Sequence, residues 1–412
     1  MTFERTASPI PPIDVARPEL FAEDRWQEPF RELRAKAPIQ YVPESKFGPY
    51  WSVTTYKPIV HIEALPKIFS SSWEHGGITL GIETNRARPE ERRMPQFIAM
   101  DPPRHTGQRR TVAPAFGPSE VAAMRAEAQE RTGALLDSLP LGEPFDWVQK
   151  VSIELTTGML AKLFGFPWEE RAKLTAWSDA GGDIDRIVSE GGWSWFNSQM
   201  DEMGAAFAEL WQQRLSNPGR DLISIMSQSE AMSEMDPVEF IGNIVLLIVG
   251  GNDTTRNSMS AYAYGMSQFP DERAKLEANP ELIPNAVQEL IRWQTPLSYM
   301  RRTVTEDTEV EGVRMKKDDM VALWYVSANR DESVFRDADR IIVDRENARR
   351  HLSFGYGIHR CVGARVAELQ MVTLLEEMAK RRLRVTAVAE PERVPASFVH
   401  GYRKLMVELA RY

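Results

Sequence analysis

The chain has a single cysteine, Cys361, in 412 residues. One thiol excludes a disulfide framework, and no second soft ligand lies near it for a structural zinc site. Long apolar runs are also missing. The longest, Ile244 to Val249, falls far short of a bilayer span, and Met1 to Pro12 is polar and proline-rich, without the basic and apolar regions of a signal peptide. A cytoplasmic protein without a membrane span is expected. Basic residues are outnumbered, 50 against 59, so the net charge is −9 and nucleic acid is not an expected partner. No Gly/Ser tract, charge block or internal repeat marks a linker, and the 27 prolines are spread along the chain as helix punctuation.

What remains is mostly helical in pattern. Asp236-Pro237-Val238-Glu239 reads as a helix start, with Asp as N-cap, Pro at the first position and Glu closing a capping box. This helix should run to about Phe269, roughly 50 Å at 1.5 Å per residue, and its apolar middle predicts burial. Further helices are predicted over Glu120–Leu136, Val151–Phe164, Trp193–Leu215, Pro284–Trp293 and Gly363–Lys380. Strand patterns are few: Tyr50–Thr55, Met320–Tyr325 and Lys404–Leu409. The expected fold class is therefore mainly α with small β-sheets. Gly181-Gly182 and Gly191-Gly192 bracket a helix–loop–helix hairpin and read as turns or lid hinges.

Cys361 lies in Phe354-Gly355-Tyr356-Gly357-Ile358-His359-Arg360-Cys361-Val362-Gly363, just before a predicted helix. Backbone N–H groups and the dipole of that helix would stabilise a thiolate, Gly355 and Gly357 permit a tight turn, Gly363 leaves room for a flat cofactor, and Phe354 shields the sulfur. The loop fits one axial ligand of a metal that arrives in its own macrocycle. It also fits a buried apolar cysteine, or the nucleophile of a hydrolase with His105, His351 or His359 as base. In the long helix, Gly250-Gly251-Asn252-Asp253-Thr254-Thr255 sets two glycines, an acid and a hydroxyl in an apolar stretch. The glycines should relax the helix and open a groove, where Asp253 and Thr254 can pass protons to a bound molecule. Glu289 and Arg292 share a helix face at i, i+3, and His105 and Arg109, four apart after Pro102-Pro103, can reach one anion.

In this order and spacing the four elements, with Ala328-Asn329-Arg330-Asp331, resemble the cytochrome P450 superfamily of haem-thiolate monooxygenases, from about Ala22 onward. The resemblance implies a single P450 domain over residues 1–412, with the long central helix over haem b and Cys361 as proximal thiolate. It implies an acid–alcohol pair in Asp253 and Thr254, and a structural Glu289–Arg292 pair joined by Arg345. His105, Arg109, Arg302 and His359 would bind the haem propionates. The length is similar to the bacterial class that takes electrons from a [2Fe-2S] ferredoxin fed by an NAD(P)H-dependent reductase. Arg109, Arg110, Arg349, Arg360 and Arg365 would dock that ferredoxin, and a monomer is expected.

Within the superfamily, Gly250–Ser260 and Trp293–Thr303 resemble the alkane and fatty-acid terminal hydroxylases. The resemblance implies O2 and a small apolar substrate, held by Ile78, Leu80, Leu246, Val249, Leu297, Met300 and Phe398. The charged segment Glu83–Arg93, with Arg86, Arg88, Glu90, Glu91, Arg92 and Arg93, lies where the family places a loop over the substrate and can attract a fatty carboxylate. A terpene or other cyclic hydrocarbon is the alternative substrate. A haem-thiolate gas sensor without turnover is the alternative in another class. A peroxygenase is disfavoured, because enzymes of that type lack the acid–alcohol pair.

Overall fold

The computed structural model describes residues 8–81 and 94–412, so the charged segment 83–93 lies outside the described residues, as does the start of the Met1–Pro12 stretch. Helices dominate. The strands β1 (Ile39–Val42) and β2 (Tyr50–Val53) form an antiparallel hairpin, followed by α1 (Tyr56–Glu63) and β3 (Phe69–Ser70). A helical run comes next: α2 (Arg104–Val112), α3 (Pro118–Ser138), α4 (Ile153–Phe164), α5 (Ala172–Gly182) and α6 (Gly192–Ser216). The central helix α7 (Pro237–Gln268) has 32 residues, and α8 (Ile283–Gln294) leads into β4 (Met300–Val304). The chain then forms β5 (Met320–Leu323), α9 (Tyr325–Ala328) and α10 (Ala364–Lys380). Among the described residues the largest sheet has the order β1-β2-β5-β4-β3, with β2 and β5 parallel. Short strands at Tyr402–Lys404 and Met406–Arg411 end the chain.

The start of α7 follows from its first residues. Asp236 accepts hydrogen bonds from the backbone N–H groups of Val238 and Glu239, both at 2.9 Å, and Pro237 occupies the position that needs no donor. The expected capping box does not form. Glu239 is buried and accepts instead from Arg104 and Gln108 of α2, because a cationic tertiary partner outcompetes a local N–H.

Gly181 and Gly182 are not surface turns. They end α5 where it crosses α7. A Cβ at Gly181 would lie 2.6 Å from Val249 Cγ2, and one at Gly182 would lie 2.5 Å from Asp253 Oδ2. The absence of side chains lets two helices approach. Gly191, at φ +74°, does make the expected turn into α6.

A buried ion pair ties α8 to the cysteine loop. Glu289 and Arg292, both without solvent exposure, join through two hydrogen bonds of 2.8 and 2.7 Å, and Arg345 Nε donates to both Glu289 oxygens at 3.0 Å. Arg292 also donates to the carbonyls of Asn329, Ala338 and Arg340. Such pairs are stable when every donor and acceptor is used, as here. Asn329 continues the chain of contacts. Its Nδ2 donates to Thr295 Oγ1 and Ser353 Oγ, and its Oδ1 accepts from Leu352 N–H at 2.7 Å. Leu352 and Ser353 lead directly into the Cys361 loop.

Candidate active site

The loop from Phe354 to Gly363 closes on itself, with Cys361 N–H donating to Phe354 O at 2.8 Å. Gly355 and Gly357 adopt left-handed φ values of +66° and +65°, and a Cβ at Gly357 would lie 2.4 Å from the carbonyl oxygen of Glu63. Only glycine satisfies both demands. The exposed surface of Cys361 belongs to the wall of an internal cavity of about 310 Å³. Burial pushes the thiol pKa up. The Gly363 backbone N–H and the Arg109 and Arg360 guanidinium groups pull it down without prevailing. Left to itself this thiol is no ready nucleophile, whereas a bound metal cation would displace its proton.

The histidines do not supply a base for it. The His105 and His359 rings are tilted 50° to each other with centroids 4.2 Å apart, and all four of their ring nitrogens are buried without a partner. His351 is spent on Gln288 Oε1 and Ser353 N–H. Among the described residues, no hydrogen bond joins Cys361 Sγ to a histidine, and the hydrolase reading loses its general base.

Beside the two orphaned rings stand Arg109 and Arg302, both on the cavity wall. Arg109 donates to the carbonyl of Arg360. Arg302 donates to Arg301 O at 2.8 Å and to Glu63 at 2.9 Å. Strand alternation on β4 explains its aim: Arg301 points the other way, to the carbonyls of His75, Gly76 and Thr79, while Arg302 faces inward. Burial, then Arg109, holds the His105 pKa down at about 4, so this ring is neutral near pH 7. Buried polar atoms without partners cost roughly 1–3 kcal/mol each. His359 lines the cavity with Arg109 and Arg302 whereas His105 does not, and unpartnered ring nitrogens beside two guanidinium groups suit an acceptor-rich, anionic group. Arg110, Arg349, Arg360 and Arg365 are exposed, but Arg109 turns inward and leaves the surface patch expected of it.

On α7, Gly250 and Thr254 line the same cavity as Cys361. The relaxation expected at Gly250-Gly251 does not interrupt the helix. It is continuous, and Thr254 Oγ1 donates to Gly250 O at 2.7 Å. The glycines serve packing and space: a Cβ at Gly251 would meet Leu160 Cδ2 at 2.7 Å, while one at Gly250 would meet nothing within 4 Å. Asp253 departs from expectation too. It is buried off the cavity wall, where it accepts from Ser178 Oγ at 2.9 Å and pairs with Arg256 at 2.8 Å. Arg256 also reaches Asp179 at 2.7 Å, a residue whose side chain is half exposed. Burial raises the Asp253 pKa, and Arg256 only partly offsets this.

Ile78, Leu246, Val249, Leu297, Met300 and Phe398 all line the cavity, as expected. Leu80 does not. It is fully buried in the core, and its backbone N–H donates to Tyr299 Oη at 3.1 Å. The structure also adds residues that the sequence did not single out: Phe116, Glu63 and Tyr325 on the cavity wall, and Ser178 and Arg256 around Asp253. Glu63 lies 239 residues before its partner Arg302, so no local pattern signals it.

Comparison with known proteins decides what this site belongs to. The cytochrome P450 family model matches residues 192–382. Linalool 8-monooxygenase of Pseudomonas putida is 36% identical over 409 residues, covering 96% of this chain and 98% of that one. This chain belongs to the cytochrome P450 superfamily. A second relative of this P450, the methyl-branched lipid omega-hydroxylase of Mycobacterium tuberculosis (strain ATCC 25618 / H37Rv), is 31% identical over 423 residues, 97% of this chain and 96% of that one. Cytochrome P450-153 from Novosphingobium aromaticivorans superposes with a TM-score of 0.92 at 57% identity, over 96% of this chain and 99% of that one. CYP153D17 from Sphingomonas sp. PAMC 26605 gives 0.92 at 62% identity, over 97% and 99%.

The fold is thus the P450 fold, the chain is a P450 monooxygenase, and its cofactor is haem b. The residues present fit that cofactor: one thiol on the wall of an internal cavity, with unpartnered donors where a two-carboxylate group would end. P450 enzymes use O2 and an electron-donating partner. No helix among the described residues is long and apolar enough to cross a membrane.

Proposed function

We propose that this P450 hydroxylates the terminal carbon of a medium-chain alkane or fatty acid, inserting one oxygen atom from O2, with electrons from a [2Fe-2S] ferredoxin and its NAD(P)H-dependent reductase. The observation that carries this reading is that Cys361, Thr254 and a predominantly aliphatic and aromatic set of side chains line one cavity. A hydrocarbon chain gains roughly 0.8 kcal/mol per buried methylene in such surroundings. The likeness to a methyl-branched lipid omega-hydroxylase supports the same substrate class.

In this reading haem b, when bound, supplies the activation of dioxygen. Cys361 Sγ would hold it with Phe354 shielding the sulfur, His105, Arg109, Arg302 and His359 would take its propionates, and Gly363 and Gly250 would leave room around it. Thr254 keeps a hydroxyl proton on the cavity face, parked on Gly250 O. Asp253 supplies that hydroxyl. Arg256 has a second carboxylate partner in Asp179, so it can release Asp253 without being left unpaired in a buried place. The carboxyl freed in this way moves a proton from the Asp179 surface toward Thr254. The apolar walls exclude other water from the site. The exposed Arg110, Arg349, Arg360 and Arg365 form the docking face for the acidic ferredoxin.

A terpene is the second reading, favoured by the 36% identity to linalool 8-monooxygenase. Titration of the haem spectrum with alkanes, fatty acids and acyclic terpenes, followed by product analysis, tests both. Terminal alcohols from linear chains support the first reading. A spectral shift and turnover only with terpenes would replace it by the second.

A further inference from the structure

Glu63 ends α1 with its carboxyl inside the protein, 4% exposed and on the wall of the main cavity. Its Oε1 accepts from Tyr325 Oη at 2.6 Å and from Arg302 Nη2 at 2.9 Å, whereas Oε2 is buried and meets no donor. A carboxylate with an unserved oxygen is costly in such a place, and a neutral carboxyl is much less so. Burial pushes the Glu63 pKa up, against Arg302, Tyr325 and the Tyr356 backbone N–H.

The groups around it set the charge balance. Arg302 on β4 and Arg109 on α2 bring two positive charges to this wall, His105 is neutral, and His359 is held low by burial, then by Arg302 and His105. Arg301 is committed to backbone carbonyls on the far side, and Lys57 and His61 of α1 are exposed. Two guanidinium groups match the two propionates of haem. An ionised Glu63 would add a third negative charge and compete for Arg302.

We propose that Glu63 is a positioning residue that is held as the neutral acid in the haem-loaded protein, aiming Arg302 at a propionate, and that its ionisation at alkaline pH loosens the cofactor. The inference rests on the haem-thiolate identity of the cavity. No bond other than O–H changes: the Glu63 proton goes to solvent as pH rises, and the carboxylate then draws Arg302 away from the propionate.

The test is haem release from the intact holoprotein to excess apomyoglobin between pH 6 and 10, read by absorbance, with infrared difference spectra of the same samples. The wild type should lose haem faster as pH rises toward the Glu63 transition, by up to about tenfold per pH unit, and level off above it. Glu63→Gln should hold haem within about twofold of wild type at pH 7 and lose the alkaline step. Tyr325→Phe, which removes a donor from Oε1, should move the step to higher pH. A protonated-carboxyl C=O stretch belonging to Glu63 should appear in the wild-type minus Glu63→Gln difference spectrum at pH 7. Identical pH profiles for wild type and Glu63→Gln would overturn the proposal, as would no infrared difference between them. Failure of the haem-thiolate identity would look different, since neither protein would take up haem.

Discussion

Gly250 and Gly251 are adjacent in α7, yet alanine at the two positions should act in opposite ways. Each replacement gains about 1 kcal/mol of helix propensity. At Gly250 nothing lies within 4 Å of the new Cβ, so the gain is kept. At Gly251 the methyl arrives 2.7 Å from Leu160 Cδ2, and Leu160 is 2% exposed in the contact between α4 and α7. Overpacking there costs roughly 1–3 kcal/mol, which cancels or reverses the gain. Gly250→Ala should therefore be about 1 kcal/mol more stable than the parent, and Gly251→Ala equal to it or up to about 2 kcal/mol weaker, by denaturant unfolding. Ligand titration should separate them again. The Gly250→Ala methyl enters the cavity beside Thr254 and displaces about one methylene of ligand, near 0.8 kcal/mol or a fourfold rise in Kd. Gly251→Ala should leave that Kd unchanged. If Gly251→Ala stabilised the protein as much as Gly250→Ala, the assigned packing of α7 on α4 would be wrong. An unchanged Kd in Gly250→Ala would mean that position 250 does not face the ligand.

Three further outcomes are expected. Thr254→Ala removes the only proton-bearing side chain that α7 sets on Gly250 O; reductant consumption should continue while product per reductant falls about tenfold or more, general acids being worth about 10²–10⁴, and equal coupling would contradict the relay. Arg292→Leu leaves Glu289 with Arg345 and the Ile342 N–H and strips donors from the carbonyls of Asn329, Ala338 and Arg340; breaking such a pair costs about 3–5 kcal/mol, so haem-loaded protein should be scarce, and near-normal yield and denaturant midpoint would refute the link to the cysteine loop. In the haem-free protein His105 favours the neutral form, with a pKa of about 4 against an ordinary 6.5. Its contribution to stability is present above pH 6.5 and lost as pH falls toward 4, and urea midpoints of His105→Gln should fall less than those of the wild type over that window, the buried His351 and His400 keeping their own share.

Much of this was readable from local chemistry. The cap at Asp236 works through groups two and three residues away, the Cys361 turn needs Gly355 and Gly357 at positive φ, and Glu289 meets Arg292 one turn later on the same helix. Arg345 was placed with this pair only through the family likeness, and the structure puts it there. What escaped depends on contacts far apart in sequence. Glu239 abandoned its capping box for Arg104 of α2, Gly181 and Gly182 were shaped by Val249 and Asp253 of another helix, and Leu80 faces Tyr299 rather than the cavity. Asp253 and Thr254 are neighbours in sequence, but the helical turn of about 100° per residue sends one to Arg256 and Ser178 and the other to the cavity. Substrate choice was least legible, because an aliphatic side chain looks the same in a core as in a ligand pocket.

The central claim is that Cys361 Sγ is the protein's bond to haem iron. The direct measurement is the absorption spectrum of the reduced, carbonyl-bound holoprotein, wild type beside Cys361→Ser. The wild type should show the red-shifted band of a thiolate-ligated haem, and the variant should lose it while still taking up haem through the propionate donors. A variant spectrum identical to the wild type would show that iron is held elsewhere.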